Sequence, residues 1–176
     1  AFDYNGDGNQ DLFLYRPGSG AAFIAHSNGD GTFRTAYAGR GIAGFDLASP
    51  ADQVLAFDYN NDRQQDLFFY RPGSGVAFVA RSNGDGTFTR VYGQSGIAGF
   101  DLASPADRAL AFDYNGDGNQ DLFLYRPGAG WAFVARSNGD GTFTMAYGEK
   151  GILVQEQALR GPTSAADRAL AFDYNG

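Results

Sequence analysis

The residues of this chain that can bind a metal ion lie in a nine-residue segment that occurs three times. The segment spans Asp3–Asp11, Asp58–Asp66 and Asp113–Asp121, and a fourth copy begins at Asp173 and is cut off at Gly176. Hard cations such as calcium take roughly six to eight oxygen ligands in flexible geometry, and alternate residues of a tight loop can point at one centre. Positions 1, 3, 5 and 9 carry oxygen side chains, and position 7 can offer its backbone carbonyl. The spacing therefore predicts calcium sites at Asp3, Asn5, Asp7, Asn9 and Asp11, at Asp58, Asn60, Asp62, Gln64 and Asp66, and at Asp113, Asn115, Asp117, Asn119 and Asp121.

The second copy of the loop is predicted to bind the metal most weakly. Arg63 stands there where the first copy has Gly8. If that position needs a positive φ, an arginine is strained where a glycine is not. The alternative for all three copies is a plain polar turn, since Asn-Gly and Asp-Gly are common hairpin turns. An EF-hand is excluded, because its twelfth position needs an acid and here holds Leu14, Phe69 or Leu124.

The first aspartates of successive copies are 55, 55 and 60 residues apart, which indicates a repeat architecture. Each repeat reads as four short strands, placed in the first copy near Ala1–Asp3, Asp11–Tyr15, Ala21–Ser27 and Phe33–Tyr37. The predicted fold is therefore all-β, with tandem four-stranded antiparallel units of about 55 residues in one domain over residues 1–176. The repeats are 1–55, 56–110 and 111–170, with the start of a fourth at 171–176.

Three repeats are fewer than the usual four to eight blades of a propeller. Further repeats in a longer chain would complete the ring, and so would pairing of chains as three plus three. A closed three-fold fold, a β-trefoil or β-prism, is the other alternative. Leu12–Tyr15 is apolar on both faces, as expected where sheets stack face to face. The third linker, Gly151–Leu170, lacks the Gly-Phe-Asp-Leu stretch of the other two, so one surface between repeats is expected to differ.

The loop and a second motif together resemble the FG-GAP or VCBS repeat family. The second motif, Ser-Asn-Gly-Asp-Gly-Thr-Phe, occupies Ser27–Phe33 and recurs at Ser82–Phe88 and Ser137–Phe143. The family includes blades of integrin alpha-subunit heads, bacterial surface proteins and mushroom propeller lectins. The resemblance implies four-stranded β-propeller blades, calcium in the loop between the first two strands, and a secreted or extracellular protein. It implies no particular ligand.

The composition excludes several classes of function. The chain has no cysteine, hence no disulfide and no thiolate chemistry. Its net charge is −7, and its 13 lysines and arginines are spread around the repeats, which disfavours nucleic-acid binding. No stretch approaches the roughly 20 apolar residues of a membrane span. No signal peptide is visible and the chain begins inside a repeat, so a mature or trimmed form is expected.

A ligand surface is predicted at the loop end opposite the metal loops. Its residues combine aromatic rings with charged groups, which suits the apolar face and the hydroxyls of a sugar. In the first two repeats they are Arg16, Tyr37 and Asp46, and Arg71, Tyr92 and Asp101; in the third they are Arg126, Trp131 and Tyr147. The alternative is structural: the tyrosines pack between repeats, Arg16 forms an ion pair with Asp46 or Asp52, and Trp131 fills the core.

These features favour a calcium-stabilised, multivalent carbohydrate-binding protein, in which several weak sites act together on glycans. A calcium-dependent protein-binding or adhesion module is the alternative. An enzyme is disfavoured, because catalytic centres are unique constellations and this chain is nearly three-fold redundant. The acids are already assigned to the metal loops, and the single histidine, His26, aligns with Arg81 and Arg136.

Overall fold

Each repeat forms one antiparallel sheet, which we call a blade. The computed structural model describes residues 2–150, 152–154, 157–159, 166 and 168–170, and all regular structure in them is β-strand. Blade 1 consists of β1 (Leu12–Arg16), β2 (Ala21–Ser27) and β3 (Phe33–Arg40). Blade 2 consists of β4 (Gln53–Phe57), β5 (Asp66–Arg71), β6 (Val76–Ser82) and β7 (Phe88–Ser95). Blade 3 consists of β8 (Arg108–Phe112), β9 (Asp121–Arg126), β10 (Trp131–Ser137) and β11 (Phe143–Lys150). The predicted all-β fold is confirmed.

The predicted strands agree with the sheets apart from their ends. Sequential strands pair as neighbours in every blade, in the meander expected for short connections. In blade 1 the first predicted strand is reduced to one bridge, in which Phe2 and Asp11 exchange backbone hydrogen bonds of 3.0 and 2.7 Å. β3 extends to Arg40, beyond the predicted end at Tyr37, with a bulge opposite Ile24 and Ala25.

The blades stack through two separate apolar cores. Strand β5 is buried on both faces: Leu67 and Phe69 pack against blade 1, and Phe68 and Tyr70 pack against blade 3. We call the Leu67 side of a blade its incoming face and the Phe68 side its outgoing face. A β-trefoil or β-prism would place one face of every sheet on a common core, so the two-sided burial of blade 2 supports propeller-like stacking.

The third crossover differs from the first two, as its sequence predicts. It contains a two-stranded sheet of β12 (Ile152–Val154) and β13 (Gln157–Leu159). The predicted fourth metal loop, which begins at Asp173, lies outside the described residues. Among the described residues, no helix has the length and apolar character needed to cross a membrane.

Candidate functional site

The predicted metal loops lie between the first two strands of each blade, and the first and third loops share one hydrogen-bond pattern. In the first loop both carboxylate oxygens of Asp3 accept backbone N–H bonds, from Gly6 and Gly8, at 2.8 Å each. Asp11 is fully buried at the start of β1, and its carboxylate accepts a 2.8 Å bond from the backbone N–H of Ser27. The third loop repeats these contacts through Asp113 and Asp121. The carboxylates of positions 1 and 9 are thus fixed by the fold.

The second loop has the same course, although its sequence departs from the other two. Gly8 and Gly118 have φ of 86° and 88°, and Arg63 adopts 68° at the equivalent position. Asn61 replaces Gly6 and also has a positive φ, 57°. The prediction that Arg63 stands where glycine is favoured is confirmed. A left-handed conformation costs a non-glycine residue about 1–2 kcal/mol, so the second loop is strained relative to its neighbours.

Three oxygen atoms in the second loop are buried without a hydrogen-bond partner. They are Asn60 Oδ1, Gln64 Oε1 and Asp66 Oδ2, and all three residues belong to the predicted ligand set. Buried polar atoms are almost always paired with protein, water or an ion. The orphaned oxygens occupy positions 3, 7 and 9 of the loop, so they are the donors that a bound hard cation would satisfy.

The electrostatics of the loops also favour a cation. Burial, together with the nearby carboxylates of Asp62 and Asp58, raises the pKa of Asp66 to about 8. Burial likewise raises the pKa of Asp121, again with two loop carboxylates adding to the effect. Among the described residues, no three His, Cys, Asp or Glu side chains are grouped so that they could hold a metal ion alone. The loops instead combine carboxylate and amide oxygens, a donor set that suits calcium.

A different cluster lies at the opposite end of the sheets, at the junction of blades 1 and 2. Arg71, at the end of β5, donates through Nε to Asp52 Oδ1 at 2.6 Å and through Nη2 to Asp52 Oδ2 at 3.1 Å. Nη2 also donates to Asp46 Oδ1 at 2.7 Å. Asp52 is fully buried, whereas the Asp46 side chain is 63% exposed. The buried acid fixes the guanidinium, and the exposed acid faces solvent beside it.

The junction of blades 2 and 3 has the same design. Arg126 donates through Nε to Asp107 Oδ1 at 2.7 Å and through Nη2 to Asp101 Oδ1. Its guanidinium lies 5.4 Å from the ring centre of Phe100, as that of Arg71 lies 5.6 Å from Phe45. Neither arginine uses Nη1 in a hydrogen bond within the described part of the chain. At each junction the two N–H groups of this Nη1 atom therefore make no hydrogen bond to the described residues.

Each junction contains a pocket beside its arginine. The pocket at the second junction has a volume of about 260 Å³ and is lined by Gly99, Phe100, Asp101, Arg126, Trp131, Phe133 and Gly148. The one at the first junction, about 410 Å³, has the equivalent residues Gly44, Phe45, Asp46, Arg71, Val76, Phe78 and Gly93 in its lining. We call these the Arg126 pocket and the Arg71 pocket. They differ in two residues: Trp131 replaces Val76, and Arg90, whose guanidinium lies 5.5 Å from the ring centre of Phe78, lines the Arg71 pocket where blade 3 has Met145.

The acid of each pocket remains charged at ordinary pH. A hydrogen bond from the backbone N–H of Ala48, followed by the bond from Arg71, lowers the pKa of Asp46. Asp101 has a lowered pKa for the same reasons, first the backbone of Ala103 and then Arg126. Arg90 also lines the Arg71 pocket and brings its net charge to zero, whereas two carboxylates around one guanidinium give the Arg126 pocket a net charge of −1. This charge favours neutral, hydroxyl-rich ligands over anionic ones.

The loop that carries each pocket acid is held in an unusual conformation. Ile42 and Phe45 pair through a tight turn in which Ala43 and Gly44 have φ of 51° and 96°. Positive φ at both central residues is the signature of a type I′ turn. Leu47 also has a φ of 51°, and the second crossover repeats all of these values closely. Non-glycine residues in this region cost about 1–3 kcal/mol and cluster at functional sites.

The structure groups the predicted ligand residues across repeats rather than within them. Asp46 lies beside Arg71, and Asp101 lies beside Arg126 and Trp131. The sequence had grouped each acid with the arginine of its own repeat, whereas the structure places it beside the arginine of the next repeat. Arg16 forms no ion pair among the described residues, so its suggested pairing with Asp46 or Asp52 is wrong. Its cleft is lined by Phe23 and Gly39 and by no acid, since the described residues contain no crossover before blade 1.

The predicted tyrosines have structural contacts instead of facing the pockets. The hydroxyl of Tyr37 donates to Gly41 O at 2.8 Å, and that of Tyr92 donates to Gly96 O at 2.9 Å. Both rings are half-buried, and Tyr147, the third copy, does not line the Arg126 pocket. The pocket floor is formed by Phe78 and Phe133, which sequence reasoning missed. The sequence signal that could have identified them is their equivalent position in successive repeats, each one repeat after the pocket acid, Asp46 or Asp101.

Two comparisons identify relatives of this chain. The model of the FG-GAP-like repeat family matches residues 3–69 and 58–124, which together cover more than half of the 176 residues. No curated protein sequence matches the chain. A solved structure of an Agrocybe aegerita lectin, which specifically recognises non-reducing terminal N-acetylglucosamine, matches with a TM-score of 0.65 and 28% identity. The match covers 85% of this chain and 37% of the lectin chain, so this chain spans little more than a third of its length. Neither comparison indicates an enzyme family.

Proposed function

This chain belongs to the FG-GAP-like repeat family, and from that premise we propose that it is a non-catalytic lectin whose glycan sites are the Arg71 and Arg126 pockets. The observation that carries the proposal is the recurrence of one pocket design at both blade junctions. Its likeness to a lectin that recognises terminal N-acetylglucosamine supports a carbohydrate as the ligand. A neutral N-acetylhexosamine suits the net charge of the pockets.

The Arg126 pocket offers each kind of contact that a sugar ring needs. The exposed carboxylate of Asp101 accepts hydrogen bonds from sugar hydroxyls, and Nη1 of Arg126 donates to ring substituents. Trp131 is 44% exposed at the pocket edge and presents an aromatic face to the apolar side of the ring. The Arg71 pocket has Val76 at this position, so we expect it to bind the same sugar more weakly.

Calcium stabilises the lectin and takes no part in sugar contact. The metal loops and the pockets lie at opposite ends of the blades, and the three orphaned oxygens of the second loop support an ion there. A ligand bound only by the folded state stabilises it by mass action. With at least two weak sites on one rigid stack, avidity on a glycosylated surface exceeds the affinity of either site. A secreted or extracellular location follows from this proposal.

Glycan binding by pocket variants tests the proposal. Replacing both exposed acids, Asp46→Asn with Asp101→Asn, should abolish binding to immobilised N-acetylglucosamine while leaving the melting temperature nearly unchanged, because the buried acids still hold both arginines. The matched control is Asp30→Asn with Asp85→Asn, which removes two exposed acids from turns at the metal end. Equal loss of binding in both double variants, or undiminished binding in the pocket variant, would contradict the assignment.

The tryptophan provides a second test at a single site. Trp131→Val gives the Arg126 pocket the residue found at the equivalent place in the Arg71 pocket. Loss of one aromatic contact of about 0.5–1.5 kcal/mol should weaken that site about two- to tenfold in calorimetry. An unchanged isotherm would exclude Trp131 from sugar contact. Binding of a protein partner, with no response to any free sugar, would favour the adhesion module instead.

A further inference from the structure

The Arg71 pocket differs from the Arg126 pocket in the charge of one residue at its edge. Arg90 of β7 lines the Arg71 pocket, and Met145 of β11 stands at the same place in blade 3. Each residue pairs directly beside the bulge of its blade, Arg90 with Ala80 and Met145 with Ala135. Blade 3 forms the same strand pairing with a methionine, so the positive charge of Arg90 is not required by the fold.

Arg90 brings a cation that no acid neutralises within the described part of the chain. Its side chain is exposed, and it forms no ion pair with any described residue. Arg71, by contrast, donates to the carboxylates of both Asp46 and Asp52. The net charge of the pocket is zero, but the charges are placed unevenly, with the excess of negative charge around Arg71 and the uncompensated positive charge on Arg90. The Arg90 side of the pocket can therefore attract an anionic group.

Two contacts hold the guanidinium of Arg90 against the pocket floor. It lies 5.5 Å from the ring centre of Phe78, within the range of a cation–π interaction. Its Nη2 donates to Gly93 O at 2.9 Å. A Cβ at residue 93 would lie 2.5 Å from Nε, so a glycine leaves the room that this position of the side chain requires. Nη1 makes no hydrogen bond to the described residues, and its two N–H groups are available to a ligand.

Two aromatic rings connect the two arginines of the pocket. The guanidinium of Arg71 lies 5.6 Å from the ring centre of Phe45. The ring centres of Phe45 and Phe78 are 5.6 Å apart, and Phe78 in turn contacts Arg90. Phe45 comes from the crossover, whereas Phe78 belongs to the incoming face of blade 2. A sugar that rests on these rings has Asp46 on the Phe45 side and the guanidinium of Arg90 on the Phe78 side.

We propose that Arg90 makes the Arg71 pocket a site for an acidic sugar, an N-acetylhexosamine that carries a sulfate ester or a carboxylate. The inference rests on the proposed function and adds the charge class of the ligand at one pocket. Asp46 accepts hydrogen bonds from the sugar hydroxyls, and Nη1 of Arg90 donates to the anionic oxygens. Charge-assisted bonds from a guanidinium are stronger than neutral ones, and its planar fork suits such oxygens. The neutral sugar still binds, and the anionic group adds affinity.

Calorimetry on one pocket at a time tests this proposal. In an Asp101→Asn background the Arg71 pocket is the one that keeps both its acid and its arginine. The probes are N-acetylglucosamine, the same sugar sulfated at its primary hydroxyl, N-acetylmuramic acid, which carries a carboxylate, and inorganic sulfate. The preferred acidic sugar should bind about three- to tenfold more tightly than the neutral one at low salt. This ratio should fall as salt screens the charges, and the better of the two acidic sugars identifies the anionic group.

Exchange of the residues at the pocket edge separates the charge from the fold. Arg90→Met gives blade 2 the residue of blade 3, and the ratio of acidic to neutral affinity should fall to about one or below. Arg81→Met is the matched control, because it removes an equal charge from an exposed site of β6 outside the pocket lining, and it should keep the ratio. Met145→Arg, in an Asp46→Asn background, should raise the ratio at the Arg126 pocket. A purely structural role of Arg90 predicts no such gain.

The same titrations distinguish failure of this inference from failure of the lectin assignment. If N-acetylglucosamine binds and neither acidic sugar binds more tightly, the role of Arg90 is overturned while the lectin assignment stands. A ratio that stays unchanged in both Arg90→Met and Met145→Arg also overturns it, as does inorganic sulfate that binds as tightly as the sulfated sugar. If none of the three sugars binds, both proposals fail.

Discussion

Asp66 offers the sharpest test of the metal loops, because its substitution should have opposite effects with and without calcium. The carboxyl is fully buried at the start of β5, and Oδ2 has no hydrogen-bond partner. Without a cation, burial raises its pKa from 3.8 to about 8. Since the folded-state pKa lies above the unfolded value, the metal-free protein loses stability as the pH rises from about 4 to about 8.

The size of this effect follows from the shift. Each pKa unit corresponds to 1.36 kcal/mol. At pH 7 the raised pKa of Asp66 therefore lowers the free energy of unfolding by up to about 4 kcal/mol relative to pH 4. Relaxation of the loop around the charge reduces this to about 2–4 kcal/mol. Asp66→Asn cannot ionise, so it also removes the repulsion from the carboxylates of Asp62 and Asp58. In EDTA at pH 8 the variant should therefore be more stable than the wild type by about 2–4 kcal/mol, with a smaller difference at pH 5.

Calcium should reverse the order. The ion takes the charged carboxylate as a ligand, and an ion present at 100 times its dissociation constant adds about 2.7 kcal/mol to the folded state. Asp66→Asn loses that gain in the second loop, so the wild type should be the more stable protein. Urea unfolding at pH 5 and pH 8, in EDTA and in calcium, measures all four cases. Asp85→Asn, in an exposed turn of the same blade, is the control. If Asp66→Asn destabilised the protein equally in all four, the loop would be a plain turn.

Two further substitutions probe the strain of the second loop and the arginine clusters. Arg63→Gly removes a left-handed arginine, with a φ of 68°, and a cation near the ligands, so calorimetry should show calcium binding a few-fold more tightly there; weaker binding would refute the strain argument. Asp107→Asn leaves the guanidinium of Arg126 without its buried partner and should cost about 3–5 kcal/mol. Asp101→Asn, at the exposed acid, should lower the free energy of unfolding by about 1 kcal/mol or less. Equal urea midpoints for Asp107→Asn and Asp101→Asn would show that burial does not decide how much each acid stabilises the fold.

Local features of this fold could be predicted from the sequence because each depends on a few adjacent residues. Three copies of the loop at a period of 55 predicted the three blades, and the turns rich in glycine and asparagine predicted where their strands end. The strain at Arg63 followed from comparing it with Gly8 in an otherwise similar loop. Each of these inferences requires only that equivalent residues adopt equivalent conformations, which the three blades do.

The composition of the pockets could not be predicted in this way. Spacing makes Arg16, Arg71 and Arg126 equivalent, and it does not tell which of them meets Asp46. That choice depends on the order in which the blades stack, a tertiary property in which each crossover delivers its acid to the following blade. For the same reason Leu14 and Phe69 look alike in sequence, although one is 53% exposed and the other is fully buried.

Because each pocket spans a junction, the metal loops can affect sugar binding without touching the sugar. The loop of one blade is tied to the loop of the next through Gln65 and Asp3, while the pocket at the other end joins Asp46 of one blade to Arg71 of the next. We expect an ion bound in the loop to restrict the angle between the two blades, and with it the distance between the pocket acid and its arginine. Calcium should then tighten glycan binding, and by linkage a saturating glycan must tighten calcium binding by the same factor. Calorimetric titration of calcium with and without N-acetylglucosamine measures that factor. Equal calcium affinities in the two titrations, together with glycan binding that survives chelation unchanged, would mean that the two ends of the blades act independently.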